Sequence, residues 1–241
     1  MKKAAILAAG EGSRLSSLKS FKPIIKINGT PLIQHTLENL QFKEFQKICI
    51  IFNETQLNMD FSLVPHFATL NVDTFFKTTA SSMHSLYQIS QRLNVKPGEH
   101  FFVSMVDSIV AKEDAKRFHL FCQTLDREES ALLVTKYIED EKPLTLKRGK
   151  DGFVKEFQCA LDDNHGEDIF ITSGVYYFSH TVLSVLGEMI EGGHSKMRNF
   201  LSELIKRNHK IKTFYVEKTF DIDRPEDILS AELFLSEQKI G

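Results

Sequence analysis

At 241 residues the chain can bury a substantial core, and a formal net charge of -2 excludes the basic footprint of a nucleic-acid binder, so an anionic partner has to be held by a local cluster. Cys49, Cys122 and Cys159 are an odd, scattered set with no Cys-x-x-Cys pair. That argues against a disulfide framework or a zinc site and for reduced thiols in a cytoplasmic protein.

Met1-Lys2-Lys3 before an apolar stretch has the outline of a signal peptide, but Glu11 and Arg14 interrupt it before an apolar segment of the required length forms. The stretch reads better as a first strand. Lys3-Ala4-Ala5-Ile6-Leu7-Ala8-Ala9 then enters Gly10-Glu11-Gly12-Ser13-Arg14-Leu15, a loop able to offer backbone N–H groups and one fixed cation to a phosphate. No apolar run approaches the ~20 residues that span a bilayer.

Phe21–Ile27 is β-rich, Asn28-Gly29 signals a turn, and Thr30-Pro31 is expected as N-cap and N1 of a helix to about Leu40. Lys47–Phe52 has the unbroken apolar character of a strand covered on both faces. Asn71–Phe75 is a further strand, after which Ser81 or Ser82 caps a helix to about Leu93. His100–Val106 is another buried strand, with Asp107 at its carboxyl end, where open α/β sheets bind ligands.

A helix is expected over Glu113–Leu125 and a strand over Ala131–Lys136. Residues 137–160 change character: a charged stretch, then a hairpin turning at Lys150-Asp151-Gly152, together a small lobe or lid on one domain spanning residues 1–241. The strand Ile169–Phe178 contains Ser173-Gly174-Val175-Tyr176. Helices follow over 180–190 and 197–207, the first closed by Gly192-Gly193, then the strand Ile211–Val216, the extended segment Thr219–Asp223 and a helix from Pro225 to about Gln238.

Three phosphate loops compete for residues 7–15. A dinucleotide fingerprint needs a third glycine and an acid about 20 residues on, and a P-loop needs Gly-x4-Gly-Lys-Ser/Thr; neither is present. The third reading uses a longer string: Leu-Ala-Ala-Gly-Glu-Gly-Ser-Arg-Leu at 7–15, Lys22-Pro23-Ile24, and Ile27-Asn28-Gly29-Thr30-Pro31-Leu32-Ile33. This closely resembles the nucleotidyltransferase family that includes sugar-1-phosphate nucleotidyltransferases (NDP-sugar pyrophosphorylases) and small phospho-alcohol cytidylyltransferases. Asp107 and residues 221–227 (Asp-Ile-Asp-Arg-Pro-Glu-Asp) carry the resemblance into the second half, with Arg224 where the family has threonine.

The resemblance implies a three-layer, Rossmann-like α/β nucleotidyltransferase fold with a mostly parallel mixed sheet. It implies a magnesium cofactor, and as partners a nucleoside triphosphate and a small phosphorylated acceptor, with no nucleic acid or membrane. Leu7, Ala8, Ala9, Gly10, Glu11, Gly12 and Ser13 then line the nucleotide, joined on the base side by Thr79, Ala80 and Ser81. Arg14 and Lys22 are the catalytic cations.

Asp107 and Asp221 are the expected metal ligands, with Asp223 either a third ligand or a helix cap completed by Glu226. Gly174 and Tyr176 match the family's acceptor strand, while Lys147, Arg148 and Lys155 are basic residues near it. The family's Glu-Lys-Pro is replaced by Glu156-Phe157-Gln158-Cys159-Ala160, which departs from a standard hexose-1-phosphate pocket. The Ser81-Ser82-Met83-His84-Ser85-Leu86 wording leans toward the small phospho-alcohol cytidylyltransferase branch. The expected reaction is transfer of a nucleoside monophosphate to a sugar-1-phosphate or a phospho-alcohol such as phosphocholine. The alternatives are a non-catalytic nucleotide-binding regulatory or scaffold subunit of the same fold and, from another class, an NAD-dependent oxidoreductase.

Overall fold

The apolar run that opens the chain becomes β1 (Lys2–Ala8), the strand on which both cores meet. Its side chains alternate: Ala5 and Leu7 enter one hydrophobic cluster, while Ala4, Ile6 and Ala8 enter another on the opposite face. Beyond the two lysines at its start the strand is covered on both faces and has no position for a polar residue, hence the unbroken run Ala4–Ala8. The computed structural model describes residues 2–18, 20–40, 45–64, 67, 71–137, 143–158 and 169–237.

The chain continues through β2 (Lys26–Ile27), β3 (Thr30–Pro31), α1 (Leu32–Asn39), β4 (Phe45–Phe52), β5 (Val72–Phe76), α2 (Ser82–Leu93), β6 (His100–Met105) and β7 (Ser108–Ile109). It then forms α3 (Lys112–Cys122), β8 (Ser130–Thr135), β9 (Thr145–Arg148), β10 (Val154–Phe157), β11 (Ile169–Ser179), α4 (Val182–Glu191), α5 (Met197–Lys206), β12 (Ile211–Tyr215), β13 (Phe220–Asp221) and α6 (Pro225–Glu237).

One nine-stranded sheet runs β10-β9-β11-β6-β1-β4-β5, with β8 on the other edge of β11 and β12 beside β8. The pairs β1–β4, β1–β6, β4–β5 and β8–β12 are parallel, and β11 is antiparallel to its neighbours. Residues of α2, α4 and α5 pack on one face (Leu86, Ile89, Val185, Leu204) and residues of α1 and α3 on the other (Leu37, Phe118). This is the expected three-layer α/β nucleotidyltransferase arrangement. Each fully buried Leu or Phe contributes about 2 kcal/mol of transfer free energy to it. Among the described residues no helix is long and apolar enough to cross a membrane.

Three local expectations change. Lys22–Ile24 is a single 3-10 turn with proline in its first positions, so only Lys26–Ile27 remains a strand. Thr30-Pro31 does not cap α1: Asn28 (φ 49°) and Gly29 (φ 76°) form a tight hairpin turn that pairs Thr30 with Ile27 and Pro31 with Lys26, and the helix begins at Leu32. The hairpin β9–β10 turns near Gly152 (φ 81°) as expected, but β9 pairs with β11, which makes the hairpin an edge of the main sheet. The charged stretch at 138–142, Cys159-Ala160 and the helix end at Gln238 lie outside the described residues.

A third cluster links distant segments: Leu15, Ile25, Ile27 and Leu32 pack on Ile109, Phe220, Ile222 and Phe234. It ties the glycine loop and the Lys22 segment to β7, β13 and α6, and so presses the two ends of the chain together at the carboxyl end of the sheet.

Candidate active site

β1 ends in the glycine loop, where Gly12 stands at φ 62° and a Cβ there would come 3.1 Å from Lys22 Cβ. The missing side chain leaves room for the Lys22 stem. Lys22 Nζ reaches Asp107 Oδ2 at 2.6 Å and Asp223 Oδ1 at 2.7 Å, although Lys22 is only 7% exposed. Arg14 Nη1 lies 3.3 Å from Asp223 Oδ2. Burial alone would lower the Lys22 pKa, but Asp107 and Asp223 outweigh it and hold the ammonium above the ordinary lysine value. Burial likewise pushes the Asp223 carboxyl up, and Lys22 and Arg14 more than offset that, keeping it below the usual range.

Asp107 leaves β6 in the turn before β7. β7 pairs antiparallel with β13, setting Asp221 opposite Ser108, and the Ile222 N–H donates to the Asp107 carbonyl at 3.1 Å. Ser108 Oγ donates to Asp221 Oδ1 at 3.0 Å. The Asp221 carboxylate opens onto a cleft yet is ringed closely by protein; this desolvation, with the Asp107 charge beside it, raises its pKa to about 7.

Asp223 is not the helix cap. Its carboxylate is spent on Lys22 and Arg14, and Asp227 Oδ2 instead accepts from the Asp223 and Arg224 N–H groups at 2.8 and 2.7 Å. The acid that reaches back to the start of the helix is therefore Asp227, one residue later than the Asp223–Glu226 spacing predicts, because α6 starts at Pro225.

The cleft offers about 380 Å³ of space and opens to solvent, and its walls include Asp107, Asp221, Asp223, Gly174 and Tyr176 together with Ser81 and Ser82. Gly174 has φ 72°, and a Cβ there would overlap Ser108 Oγ. Tyr176 is almost wholly buried, and that burial pushes its hydroxyl up to about 12, so it remains a hydrogen-bond donor. Lys196 and Arg198, at the start of α5, also line the cleft, and no sequence signal pointed to them. Lys155 instead pairs with Asp151, and Arg148 stacks over the Phe170 ring at 4.3 Å.

Leu7, Ala8 and Ala9 are buried, so only their backbone groups can serve a ligand, whereas Gly10, Glu11 and Ser13 are exposed. Thr79 Oγ1 is engaged by Ser85 Oγ at 2.7 Å, Ala80 is exposed, and Ser81 is the N-cap of α2 as well as a cleft residue. Sequence reasoning also passed over Asn53. Its buried amide donates to the Ala9 carbonyl at 3.1 Å and accepts from Thr55 N at 3.0 Å and from Thr78 Oγ1 at 3.2 Å. Asn53 thereby fastens the glycine loop to the segment before α2. The only hint in the sequence was an amide directly after an apolar strand.

Among the described residues no group of three or more His, Cys, Asp or Glu side chains closes into a metal sphere. Asp107 and Asp221 nevertheless fit a hard divalent cation: two neighbouring carboxylates, one with its pKa raised partly by the other, form an oxygen donor set that a cation would relieve.

No curated protein matches the chain by sequence. Solved structures do match its fold. The inositol-1-phosphate CTP transferase from T. maritima has a TM-score of 0.76 at 19% identity, covering 100% of this chain and 97% of that one. A UDP-glucose pyrophosphorylase complexed with UDP-glucose has 0.79 at 16%, covering 99% of each. The CTP:phosphocholine cytidylyltransferase from Streptococcus pneumoniae has 0.71 at 21%, covering 97% and 99%. Residues 4–203, which contain the glycine loop, Lys22, Asp107 and most of the cleft, match the MobA-like NTP transferase domain, and the chain belongs to that family of nucleotidyltransferases.

Proposed function

We propose that the protein transfers a nucleoside monophosphate from a nucleoside triphosphate to a small phosphorylated acceptor, a sugar phosphate or a phospho-alcohol, releasing pyrophosphate. One observation carries the reading: Arg14 and Lys22 from the glycine-loop region meet Asp107 and Asp223, and these two aspartates line, with Asp221, a cleft that Lys196 and Arg198 also line. A nucleotide-binding scaffold has no need for this convergence of charges.

The acceptor's phosphate needs no general base, since its second pKa of about 6 leaves it largely ionised at neutral pH. The protein has to hold two anions within reach of each other, so positioning and charge neutralisation carry the rate. The glycine-loop N–H groups and Arg14 hold the leaving pyrophosphate, and Lys22 meets the charge that grows on the α-phosphate. Lys196 and Arg198, which line the same cleft, hold the acceptor's phosphate, while Ser82 and Tyr176 offer hydroxyls to the rest of the acceptor. Magnesium on Asp107 and Asp221 would supply charge neutralisation at the phosphate oxygens. Two of the similar structures are CTP transferases for inositol-1-phosphate and for phosphocholine, which supports this acceptor class.

The test is a pyrophosphate-release screen of four nucleoside triphosphates against sugar-1-phosphates and phospho-alcohols, with and without magnesium. Release with one pair, abolished by chelation and by Asp107→Ala in a folded protein, is the expected result. Silence across the panel favours the scaffold reading.

A further inference from the structure

Lys22 is held more firmly than a phosphate-binding lysine needs to be. Its stem lies against Gly12, its ammonium bridges Asp107 Oδ2 and Asp223 Oδ1 at 2.6 and 2.7 Å, and Asp223 is held from its other oxygen by Arg14. Three carboxylates, Asp107, Asp221 and Asp223, face two cations here. The ammonium therefore supplies the neutralisation that a divalent ion would otherwise bring, and both cannot hold the same Asp107 oxygen at contact distance.

We propose that Lys22 is an exchangeable counter-ion: in the empty site it holds Asp107 and Asp223, and a divalent cation gains Asp107 only as the ammonium turns onto triphosphate oxygens. This rests on Asp107 being a metal ligand, as proposed above. A buried ammonium that loses its carboxylates without gaining a new anion is strongly unfavourable, so a metal ion alone is resisted. The triphosphate supplies the new anion. Metal and nucleotide binding are then positively coupled through one side chain, and by linkage each strengthens the other equally. The bare backbone of Gly12 leaves room for the stem to stay in place while the outer torsions of Lys22 carry Nζ toward the loop.

The experiment measures Mn2+ binding by titration calorimetry without nucleotide or acceptor, on wild type, Lys22→Met and Lys22→Arg. Lys22→Met is expected to bind Mn2+ about tenfold more tightly than wild type and to show the larger Mn2+-induced rise in Tm, whereas Lys22→Arg stays with wild type. Equal affinity in wild type and Lys22→Met overturns the proposal. Should Lys22→Met fail to fold, wild type labelled with 15N-lysine gives the answer by NMR. The Lys22 ammonium signal shifts with Mg2+ plus a non-hydrolysable triphosphate and stays put with Mg2+ alone; a signal unmoved by both overturns the proposal. The metal-only arm contains no substrate, so an inactive enzyme with the expected Mn2+ pattern defeats the proposed reaction alone, and an active enzyme without it defeats the counter-ion alone.

Discussion

Ser108 Oγ donates to Asp221 Oδ1 at 3.0 Å across a two-residue antiparallel ladder, joining residues 113 positions apart. The contact exists because β11 passes behind it with no side chain at Gly174, whose φ of 72° and missing Cβ leave Ser108 in place. Gly174→Ala is therefore expected to lower stability by about 2 kcal/mol through backbone strain and overlap, and to reduce turnover by moving Asp221. Denaturant melts and single-turnover assays of the variant check both effects.

Asn53 joins the glycine loop to the segment before α2 without facing the acceptor cleft. Asn53→Ala leaves a buried carbonyl and a hydroxyl without their partner, a loss of about 2 kcal/mol. Its kinetic effect is expected in the KM for the triphosphate, raised about tenfold, with the KM for the acceptor unchanged. Steady-state kinetics with each substrate varied in turn separate the two.

Lys196 and Arg198 give the mirror image. Lys196→Ala and Arg198→Ala each remove a charge from the lining of the cleft, and each is expected to raise the acceptor KM about tenfold while leaving triphosphate binding intact. Isothermal titration of the triphosphate into each variant provides the control.

Arg14 makes an ion pair with its side chain 63% exposed, which is worth at most about 1 kcal/mol to folding. Arg14→Ala should keep the wild-type Tm within about 2 °C while lowering kcat by roughly a hundredfold. A large drop in Tm with kcat preserved would assign Arg14 to structure.

Glu129 predicts the acid limb of stability. Burial pushes its carboxyl up, but Lys212 Nζ at 2.8 Å and the Asp126 N–H at 3.1 Å more than offset this, so its folded pKa lies below the ordinary value of 4.5. A depressed carboxylate contributes stability that is fully present above its unfolded pKa and is lost as the pH falls through the folded one. Stability should thus decline below about pH 4.5, and Glu129→Gln should flatten that part of the profile in denaturant melts followed from pH 7 to pH 3.

How much was legible beforehand depends on whether a residue's role is local. The glycine loop, Lys22 beside a proline, and Asp107 at a strand end could be read because strand periodicity, turn chemistry and placement at the carboxyl edge are properties of short segments. The Thr30-Pro31 cap was misread because a two-residue hairpin pairing competes for the same residues, and the Asp223–Glu226 cap because a one-residue shift of the helix start is invisible in composition. Lys196, Arg198 and Asn53 gave no signal, since an exposed basic pair and an amide after a strand have many ordinary uses.

The sequence by itself determined the alternating α/β architecture and the glycine-rich turn that leaves β1, and it singled out Arg14, Lys22, Asp107 and Asp221. Only the tertiary structure decided their partners: that Lys22 stands between Asp107 and Asp223, that Ser108 braces Asp221, and that α5 supplies the second pair of cations. Strand periods and turns follow from interactions a few residues long. Charge pairing across 85 to 201 positions depends on how β7, β13 and α6 pack against the glycine loop, and a linear pattern carries no record of that packing.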